Sequence, residues 1–443
     1  MTRASLEGRW YGHDRERLTD SSKDRAIFEP GLRSFMNVGR PIQRRPVPES
    51  RFPRAEEQIR MDQELTSTTL LSAARDVAVA AAQCAANADT SRRLDPDVVK
   101  TLVAAGFPRH FVPVSCGGNA STFVELNHAV SAVGESCAAT AWCASLASHV
   151  SRMAAHLPAE GYREIWADGP DVLLVASLTP LGKAEPVSGG YRLSGKWPFI
   201  SAIDYADWAL LAAMVPHNGQ PQPRVFAVPR SAWRTVDTWH NVGMVATGSN
   251  TVIVEDIVVP AARTVSRDGL FAGRAVDSDE PCHAVPMQAT TMMFATPALG
   301  AAKGALKSWL DYVTPKIQAA ANMPKPALPG MPTFNRTSYD VTLARSATEI
   351  DAAELLLERA AVNADSGHGL SPLQTMQNWR DCVMAADMLA AVVNRLFRSV
   401  GTTGQASSNP VQRFWRDINS IAGHQALQIE SAAIAYSHQV IKI

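Results

Sequence analysis

The spacing of apolar residues changes twice along this chain of 443 residues. Residues 60–168 and 281–443 carry long stretches rich in Ala and Leu with few breakers, which is typical of α-helices. Residues 169–280 instead carry short runs of β-branched and aromatic residues between Gly, Pro, Asn and Asp, as in strands joined by turns. The pattern predicts a mainly α protein with a central β domain.

Helix boundaries in the first and last regions follow from capping residues. Asp95 and Pro96 predict the start of one helix, and Gly106 predicts its end. Pro158 predicts the end of a helix that begins near Ala138. The last region predicts a four-helix bundle, because it contains four long helical segments in series. These segments are 284–313, 337–364, 372–400 and 410 to the C-terminus, with a Pro-rich link at 323–332.

The β domain and the N-terminal residues have different patterns. Strands are predicted at 172–176, 191–193, 208–215, 224–228 and 251–259, forming a small β-barrel or sandwich. Ser194 and Gly195 predict a turn within this region. Residues 1–59 are rich in Arg, Pro and Ser without an apolar period, which predicts an extended or disordered arm.

Composition excludes several kinds of function. Lys+Arg and Asp+Glu both number 42, so the charge balance does not favour nucleic acid or an anionic membrane as a partner. There is no run of ~20 apolar residues and no apolar signal segment, so we expect a cytoplasmic protein. The six cysteines form no Cys-x-x-Cys pair, so neither zinc nor a redox pair is expected. His149 and His156 share a helix face without a third ligand in register, so we expect no metal there either.

The stretch 191–208 contains the first candidate for binding chemistry. Trp197 and Phe199 are followed by small residues and by Ser201, a pattern that lets a flat ring approach the backbone beside a hydroxyl. The alternative is a β-hairpin in which both aromatic side chains fill a core.

The order of the three regions resembles the acyl-CoA dehydrogenase superfamily, with an N-terminal helical domain, a middle β domain and a C-terminal four-helix bundle. Three motifs carry this resemblance: Gly195-Lys196-Trp197, the strand Val254 to Pro260, and Arg416-Asp417. The dehydrogenases of this type have a catalytic Glu seven to eight residues after that Asp. This chain has His424 and Gln425 there, and glutamine cannot accept a proton at neutral pH.

The chain is more similar to the oxygenase components of two-component flavin monooxygenases within that superfamily. The motifs shared with this branch are 193–201, 243–250, Arg416-Asp417 followed by His424, and Ala141-Trp142 followed by His149. The resemblance implies an enzyme that receives reduced FMN or FAD from a separate NAD(P)H-dependent flavin reductase. With O2 it would form a C4a-hydroperoxyflavin and hydroxylate a small, phenolic substrate. The resemblance also implies a homotetramer.

The resemblance assigns roles to individual residues. Ser201 would lie beside flavin N5, and His424 near the reacting oxygen. His149 and Ser177 would grip the substrate hydroxyl. The remaining flavin contacts would be Trp197, Phe199, Ser177, Arg345 and, from a neighbouring subunit, Thr402 and Thr403. The structural alternatives are a helix histidine for His424, packing and turn residues for His149 and Ser177, and a solvated helix face for Arg345.

Three other functions stay open at this point. The same flavin chemistry could N-hydroxylate an amine or amino sugar, which a carboxylate near the flavin would favour. An acyl-CoA dehydrogenase would need a catalytic Glu, for which Glu349 and Glu354 are the candidates. A non-enzymatic relic with a collapsed pocket is the third. No Gly-x-Gly-x-x-Gly motif follows a predicted strand, so no nicotinamide site is expected.

Overall fold

The structure, a computed structural model, describes residues 70–217, 219–322 and 336–441. The predicted arm at 1–59 and the predicted Pro-rich link at 323–332 lie outside the described residues. The proposed division into residues 60–168, 169–280 and 281–443 stays a prediction.

Within the described residues, five α-helices precede the sheet. Asp95 caps the second of them by accepting from the Asp97 amide at 2.9 Å, with Pro96 in the first turn, as the sequence predicts. The fourth helix is buried on nearly every side and ends at Ala154, four residues before Pro158. The bounds are α1 Leu70–Ser91, α2 Pro96–Ala104, α3 Phe123–Gly134, α4 Ala138–Ala154 and α5 Ala159–Ile165.

A seven-stranded mixed sheet follows, in the order β5-β6-β2-β1-β3-β4-β7. All neighbouring strands are antiparallel except β1 and β3, which run parallel. The β1–β2 hairpin turns at Ser188-Gly189, where Gly189 has a φ of 80° that suits glycine. The strands are β1 Leu174–Val187, β2 Gly190–Ile200, β3 Trp208–His217, β4 Gln220–Pro229, β5 Arg234–Val236, β6 Asn250–Pro260 and β7 Thr264–Ser266.

The predicted turn at Ser194-Gly195 is wrong. Strand β2 continues through both residues, and its pairing with β6 only shifts register between Leu193 and Gly195. The Ser194 hydroxyl accepts from the Asp256 amide at 2.9 Å, so the irregularity is a β-bulge. The bulge lets one strand extend from the hairpin to Ile200, directly before Ser201.

The C-terminal region contains a bundle, with two differences from the prediction. Residues 281–290 form 3₁₀ turns around Pro286, so the first bundle helix begins at Met292. The last segment divides at Gly423, because His424 has an extended backbone and starts a 3₁₀ turn. The helices are α6 Arg267–Phe271, α7 Met292–Ala321, α8 Arg336–Ala364, α9 Pro372–Ser399, α10 Gly401–Gly404, α11 Pro410–Ala422 and α12 Ile429–Ile441.

The helical regions before and after the sheet share one hydrophobic core, and the sheet has a core of its own around Trp197. Met244 and Ala246, from the loop before β6, belong to the helical core. This loop therefore connects the sheet to the bundle. In the described ranges, no helix has the length and apolar character needed to cross a membrane.

Candidate active site

Two loops from the sheet meet at the end of β2. One follows β2 and contains Ser201 and Ala202, and the other, residues 243–250, precedes β6 and is called the motif loop below. The Ala202 amide donates to Thr247 O at 2.8 Å, which holds the two loops together. Asp417 of α11 accepts from the Met244 amide at 2.6 Å. The bundle therefore fixes the loop that lies against Ser201.

Ser201 is buried and has two side-chain partners. The indole N–H of Trp142 donates to Ser201 Oγ at 3.0 Å, and Ser249 Oγ lies 2.8 Å from it. Trp142 is on α4 and Ser249 is in the motif loop. The hydroxyl is thus held from the N-terminal helices on one side and from the sheet on the other.

His424 packs against the same tryptophan. Its ring centroid is 4.2 Å from that of Phe294 and 5.4 Å from that of Trp142, and Phe294 and Trp142 are 5.3 Å apart. These three rings form an aromatic cluster between α4, α7 and the turn after α11. Trp142 therefore joins Ser201 and His424, which the sequence separates by 223 positions, into one site.

The chemical state of His424 follows from its surroundings. Burial lowers its pKa to about 4, so the ring is neutral at physiological pH. Nδ1 accepts from the Ala426 amide at 3.3 Å, which puts the remaining proton on Nε2. Among the described residues Nε2 has no hydrogen-bond partner, so it can donate to a bound molecule. The predicted alternative, a helix histidine bonded to a carbonyl, is wrong because His424 lies in the turn between α11 and α12.

Backbone strain is concentrated here. Phe199, Ala202 and Met244 have φ values of 64°, 59° and 52°, in the left-handed region that residues with a Cβ rarely adopt. They account for three of the six such non-glycine residues among those described. Strain of this kind collects at functional sites, where the surrounding structure holds it in place.

The two aromatic residues of β2 have opposite environments. Trp197 is completely buried in the core of the sheet, and its indole N–H donates to Ala212 O at 2.7 Å. The expected flavin contact is therefore not available to Trp197, because no face of its ring is exposed. Phe199 has 72% of its surface exposed, and its described ring contact is Trp239, 6.2 Å away and nearly perpendicular. Phe199 thus offers a free aromatic face two residues from Ser201.

His149 and Ser177 are not brought together by a hydrogen bond in the described structure. His149 is buried on α4, two turns after Trp142, with its ring 5.5 Å from Phe111 and 5.9 Å from Phe123. Burial is the main cause that lowers its pKa well below the usual value, and Nδ1 has no partner among the described residues. Ser177 is half-buried on β1, opposite Leu211 of β3.

The more distant candidates lie on exposed surfaces. Thr402 and Thr403 are exposed in the short helix α10. The Arg345 side chain is 67% exposed and bonds Glu349 at 2.9 Å, so in this chain it belongs to a surface ion pair. These residues do not contact Ser201 or His424 within the chain.

The glutamates that a dehydrogenase would need are already paired. Glu349 accepts from Arg345 and Arg395, and Glu354 is 2.6 Å from Lys303. Neither forms part of the cluster around Trp142.

A group of possible metal ligands lies elsewhere, at the turn before α7. Ligand atoms of Glu280, Cys282 and His283 lie within 4.8 Å of one another. His283 uses both ring nitrogens, with Ser278 Oγ at 2.6 Å and Phe111 O at 2.7 Å. The imidazole therefore already has two protein partners.

Sequence reasoning gave no role to four residues of the site. Trp142, Thr247 and Ser249 stood in recognised motifs, so a signal existed without a function attached to it. Phe294 is an aromatic residue in a helical segment, and nothing in its sequence context distinguishes it from a core residue.

Comparisons with known proteins show the family of this chain. Residues 292–429 match the family described as acyl-CoA dehydrogenase, C-terminal domain. The chain is 31% identical to the FADH2-dependent resorcinol hydroxylase, oxygenase component, of Rhizobium sp., over 76% of this chain and 85% of the relative. It is 30% identical to the flavin-dependent monooxygenase oxygenase subunit HsaA of Rhodococcus jostii, over 78% of this chain and 91% of the relative. The chain belongs to the flavin-dependent monooxygenases, as an oxygenase component.

Solved structures of flavin-dependent monooxygenases have the same fold. The 3-HSA hydroxylase of Rhodococcus sp. RHA1 superposes with a TM-score of 0.78 at 27% identity, covering 84% of this chain and 97% of the other. XiaF of Streptomyces sp., solved with FADH2 and glycerol, gives a TM-score of 0.73 at 25% identity, covering 88% of this chain and 97% of the other. The predicted acyl-CoA dehydrogenase-like fold, the assignment as a reduced-flavin-dependent hydroxylase and the use of reduced flavin with O2 are confirmed.

The residues of this monooxygenase fit a reduced flavin. A flat ring system with hydrogen-bonding atoms at its edge needs an apolar face beside a polar edge. Phe199 offers the exposed face, and Ser201 and the Nε2–H of His424 offer the polar groups. The bound flavin supplies the redox chemistry, and the protein holds, orients and shields it.

Proposed function

We propose that this monooxygenase hydroxylates a small phenolic compound at the aromatic cluster, with Ser201 at the flavin N5 edge and His424 at the reacting oxygen. The single observation that carries the proposal is the position of Trp142. It donates to Ser201 and packs its ring against His424, so both groups lie against the same side chain.

The proposed work of Ser201 is to hold a hydrogen bond at the flavin edge while water is excluded. Trp142 and Ser249 fix the hydroxyl before anything binds, so little reorganisation is needed. One preorganised hydrogen bond of this kind contributes ~2–4 kcal/mol. Since ~1.4 kcal/mol is a factor of ten, the loss of this bond would shorten the lifetime of the oxygen-reactive flavin by roughly 30-fold to several hundredfold.

The proposed work of His424 is to donate from Nε2 near the oxygen that is transferred. A neutral imidazole with one donor and one acceptor can position an oxygen atom and give or take a proton. Its pKa of about 4 keeps it neutral across the physiological range.

Two observations favour a phenol as substrate. Two relatives are named for phenolic compounds: the resorcinol hydroxylase above, and the p-hydroxyphenylacetate 3-hydroxylase oxygenase component of Acinetobacter baumannii, 25% identical over 82% of this chain and 86% of the relative. Nδ1 of buried His149 has no partner in the part of the chain that the structure describes, and an unsatisfied buried polar atom is costly. A phenol hydroxyl held by His149 and Ser177 would remove that cost.

N-hydroxylation of an amine has less support. A free carboxylate near the flavin would favour an amine substrate. The buried carboxylate of this region, Asp417, is not free, because it already accepts from the Met244 amide.

The remaining contacts and partners belong to the same proposal. Phe199 would lie against the flavin ring, and Thr402 and Thr403 of a second copy would close the site in a homotetramer. Arg345 would contact a flavin phosphate.

The name of the Rhizobium relative favours FADH2 over FMNH2, and the term oxygenase component implies a separate NAD(P)H-dependent reductase as partner. A cytoplasmic location suits six scattered, free cysteines.

Rapid mixing tests the proposal. The protein is loaded anaerobically with reduced FAD, or separately with reduced FMN, and mixed with oxygenated buffer. We expect a transient absorbance that precedes oxidised flavin and decays faster with a simple phenol such as resorcinol. Oxidised flavin formed at the rate of free flavin would contradict the proposed site. Faster decay with amines and not with phenols would leave the flavin site intact and replace the proposed substrate.

A further inference from the structure

A chain of three buried hydroxyls leads away from the proposed flavin edge. Ser201 Oγ lies 2.8 Å from Ser249 Oγ, and Ser249 Oγ lies 2.6 Å from Thr247 Oγ1. Thr247 Oγ1 in turn donates to Met244 O at 2.8 Å. Exposure of Ser249 is 4% and of Thr247 is 2%, so solvent water does not compensate a lost bond. We call Ser201, Ser249 and Thr247 the hydroxyl relay.

Each hydroxyl has a single proton, so the hydrogen bonds of the relay can run in one of two directions, called the first and the second order. In the first order Ser201 donates to Ser249, Ser249 to Thr247, and Thr247 to Met244 O. In the second order Thr247 donates to Ser249 and Ser249 donates to Ser201. The Ser201 proton is then free for a bound molecule. Trp142 donates to Ser201 in both orders, because an indole nitrogen is only a donor.

Met244 O makes the reversal possible. It also accepts from Trp239 Nε1 at 3.0 Å and from the Thr247 amide at 3.2 Å. The carbonyl therefore keeps two donors when the Thr247 hydroxyl turns away from it. Asp417 holds the same residue by its amide, so the end of the relay stays in place in either order.

We propose that the relay lets Ser201 serve both oxidation states of the flavin, with Thr247 and Ser249 as positioning residues. This inference rests on the proposed place of Ser201 beside flavin N5. Oxidised N5 carries no hydrogen and needs a donor, which the second order supplies. Reduced N5 carries a hydrogen and needs an acceptor, which the first order supplies. The hydroxyls only rotate, and no proton leaves the relay.

The relay predicts that loss of the Thr247 hydroxyl affects reduced flavin more than oxidised flavin. With reduced flavin, Ser201 accepts from Trp142 and from N5–H, so the Ser201 hydroxyl must donate its hydrogen bond to Ser249, and the Ser249 hydroxyl must donate to Thr247. Thr247→Val removes the last acceptor and strands a buried proton in this order. In the second order the same change only leaves a lone pair of Ser249 without a donor. An unused lone pair costs less than a buried O–H without an acceptor. The variant should therefore bind reduced flavin less well and change oxidised flavin less.

The experiment measures dissociation constants for oxidised and for anaerobically reduced FAD by fluorescence titration. Thr247→Val and Ser249→Ala should each raise the constant for reduced FAD roughly tenfold more than the constant for oxidised FAD. Thr247→Ser, which restores the hydroxyl, should return the ratio to the wild-type value. The matched control is Thr251→Val, because Thr251 is 1% exposed and shares a 2.7 Å hydroxyl contact with Thr238 outside the relay.

The outcomes separate the relay from the proposed function. If Thr247→Val weakens the binding of oxidised and reduced FAD equally, or if Thr247→Ser does not restore the wild-type ratio of the two constants, the relay is overturned. If Thr247→Val does not fold, as judged by circular dichroism, Ser249→Ala decides by the same ratio. Ser201→Ala with unchanged constants for both flavin states would overturn the place of Ser201 itself. A changed constant in Ser201→Ala beside an unchanged ratio in Thr247→Val would remove only the relay.

Discussion

Asp417, on a helix of the bundle, accepts a hydrogen bond from the backbone amide of Met244 in the motif loop at 2.6 Å. Asp417 is 3% exposed, and its burial raises its pKa to about 6. The neighbouring Arg416 bonds Val242 O and Asp89. The Arg-Asp pair thus ties the bundle, the motif loop and α1 together, and the strained φ of Met244 is held by this contact.

Asp417→Ala should destabilise the protein by ~1–3 kcal/mol, because the Met244 amide loses its partner in a buried position. Asp417→Asn should cost less, since the amide oxygen can still accept that bond. Urea unfolding of the two variants beside the wild type measures the difference. Equal losses would mean that the charge of Asp417, and not its acceptor oxygen, stabilises the loop.

Ser201→Ala should keep the fold and release more H2O2 per reduced flavin consumed, because the proposed hydrogen bond at the flavin edge is lost. The measurement is peroxide yield against product yield under single-turnover conditions. Thr251→Val again serves as the control. Unchanged coupling in Ser201→Ala would remove Ser201 from the mechanism.

Phe199→Gly should weaken flavin binding without loss of stability, and Trp197→Phe should lower stability. Phe199 is exposed with a left-handed backbone, so glycine should leave stability unchanged or raise it by ~1 kcal/mol while weakening flavin binding. Trp197 is a core residue, so Trp197→Phe should lose ~1–3 kcal/mol of stability through the unsatisfied Ala212 carbonyl and the cavity. Thermal unfolding and flavin titration of both variants test the pair. Weaker flavin binding in Trp197→Phe alone would reverse the assignment of the two rings.

His424→Ala should reduce oxygen insertion with little change in melting temperature, since the residue is half-buried and the one hydrogen bond of its ring among the described residues is from the Ala426 amide. His424→Asn, which retains a donor, should keep part of the activity. Product formed per reduced flavin is the readout. A large fall in melting temperature for His424→Ala would instead support a structural role.

The stability of the protein should fall as the pH is lowered from about 6.5 towards 4. Burial lowers the pKa of His156 to about 3 and those of His283 and His424 to about 4. In this window the unfolded histidines bind protons and the folded ones do not, so the free energy of unfolding rises with pH. The raised pKa of Asp417 acts in the opposite direction below pH 6 and offsets part of the effect. Melting temperatures across this range test the sign, and His156→Gln should flatten the slope.

The sequence alone determined much about this protein. The order of helical, strand and helical regions follows from the period of apolar residues, which is a local property of the backbone. The helix starts at Pro96 and Pro410 follow from capping residues and prolines that act over a few residues. The motifs around Ser201 and His424 were also sufficient to predict a reduced-flavin-dependent oxygenase, which the comparisons confirm.

Only the tertiary structure decided how the side chains meet. Trp197 and Phe199 have the same character in the sequence, but one is buried in the sheet and the other is exposed, because the backbone changes direction at the positive φ of Phe199. The contact of Trp142 with both Ser201 and His424 depends on three segments far apart in the chain, so no local pattern encodes it. The same is true of the partners of Ser249 and Thr247, whose hydroxyls form a connected chain in the motif loop that Asp417 holds.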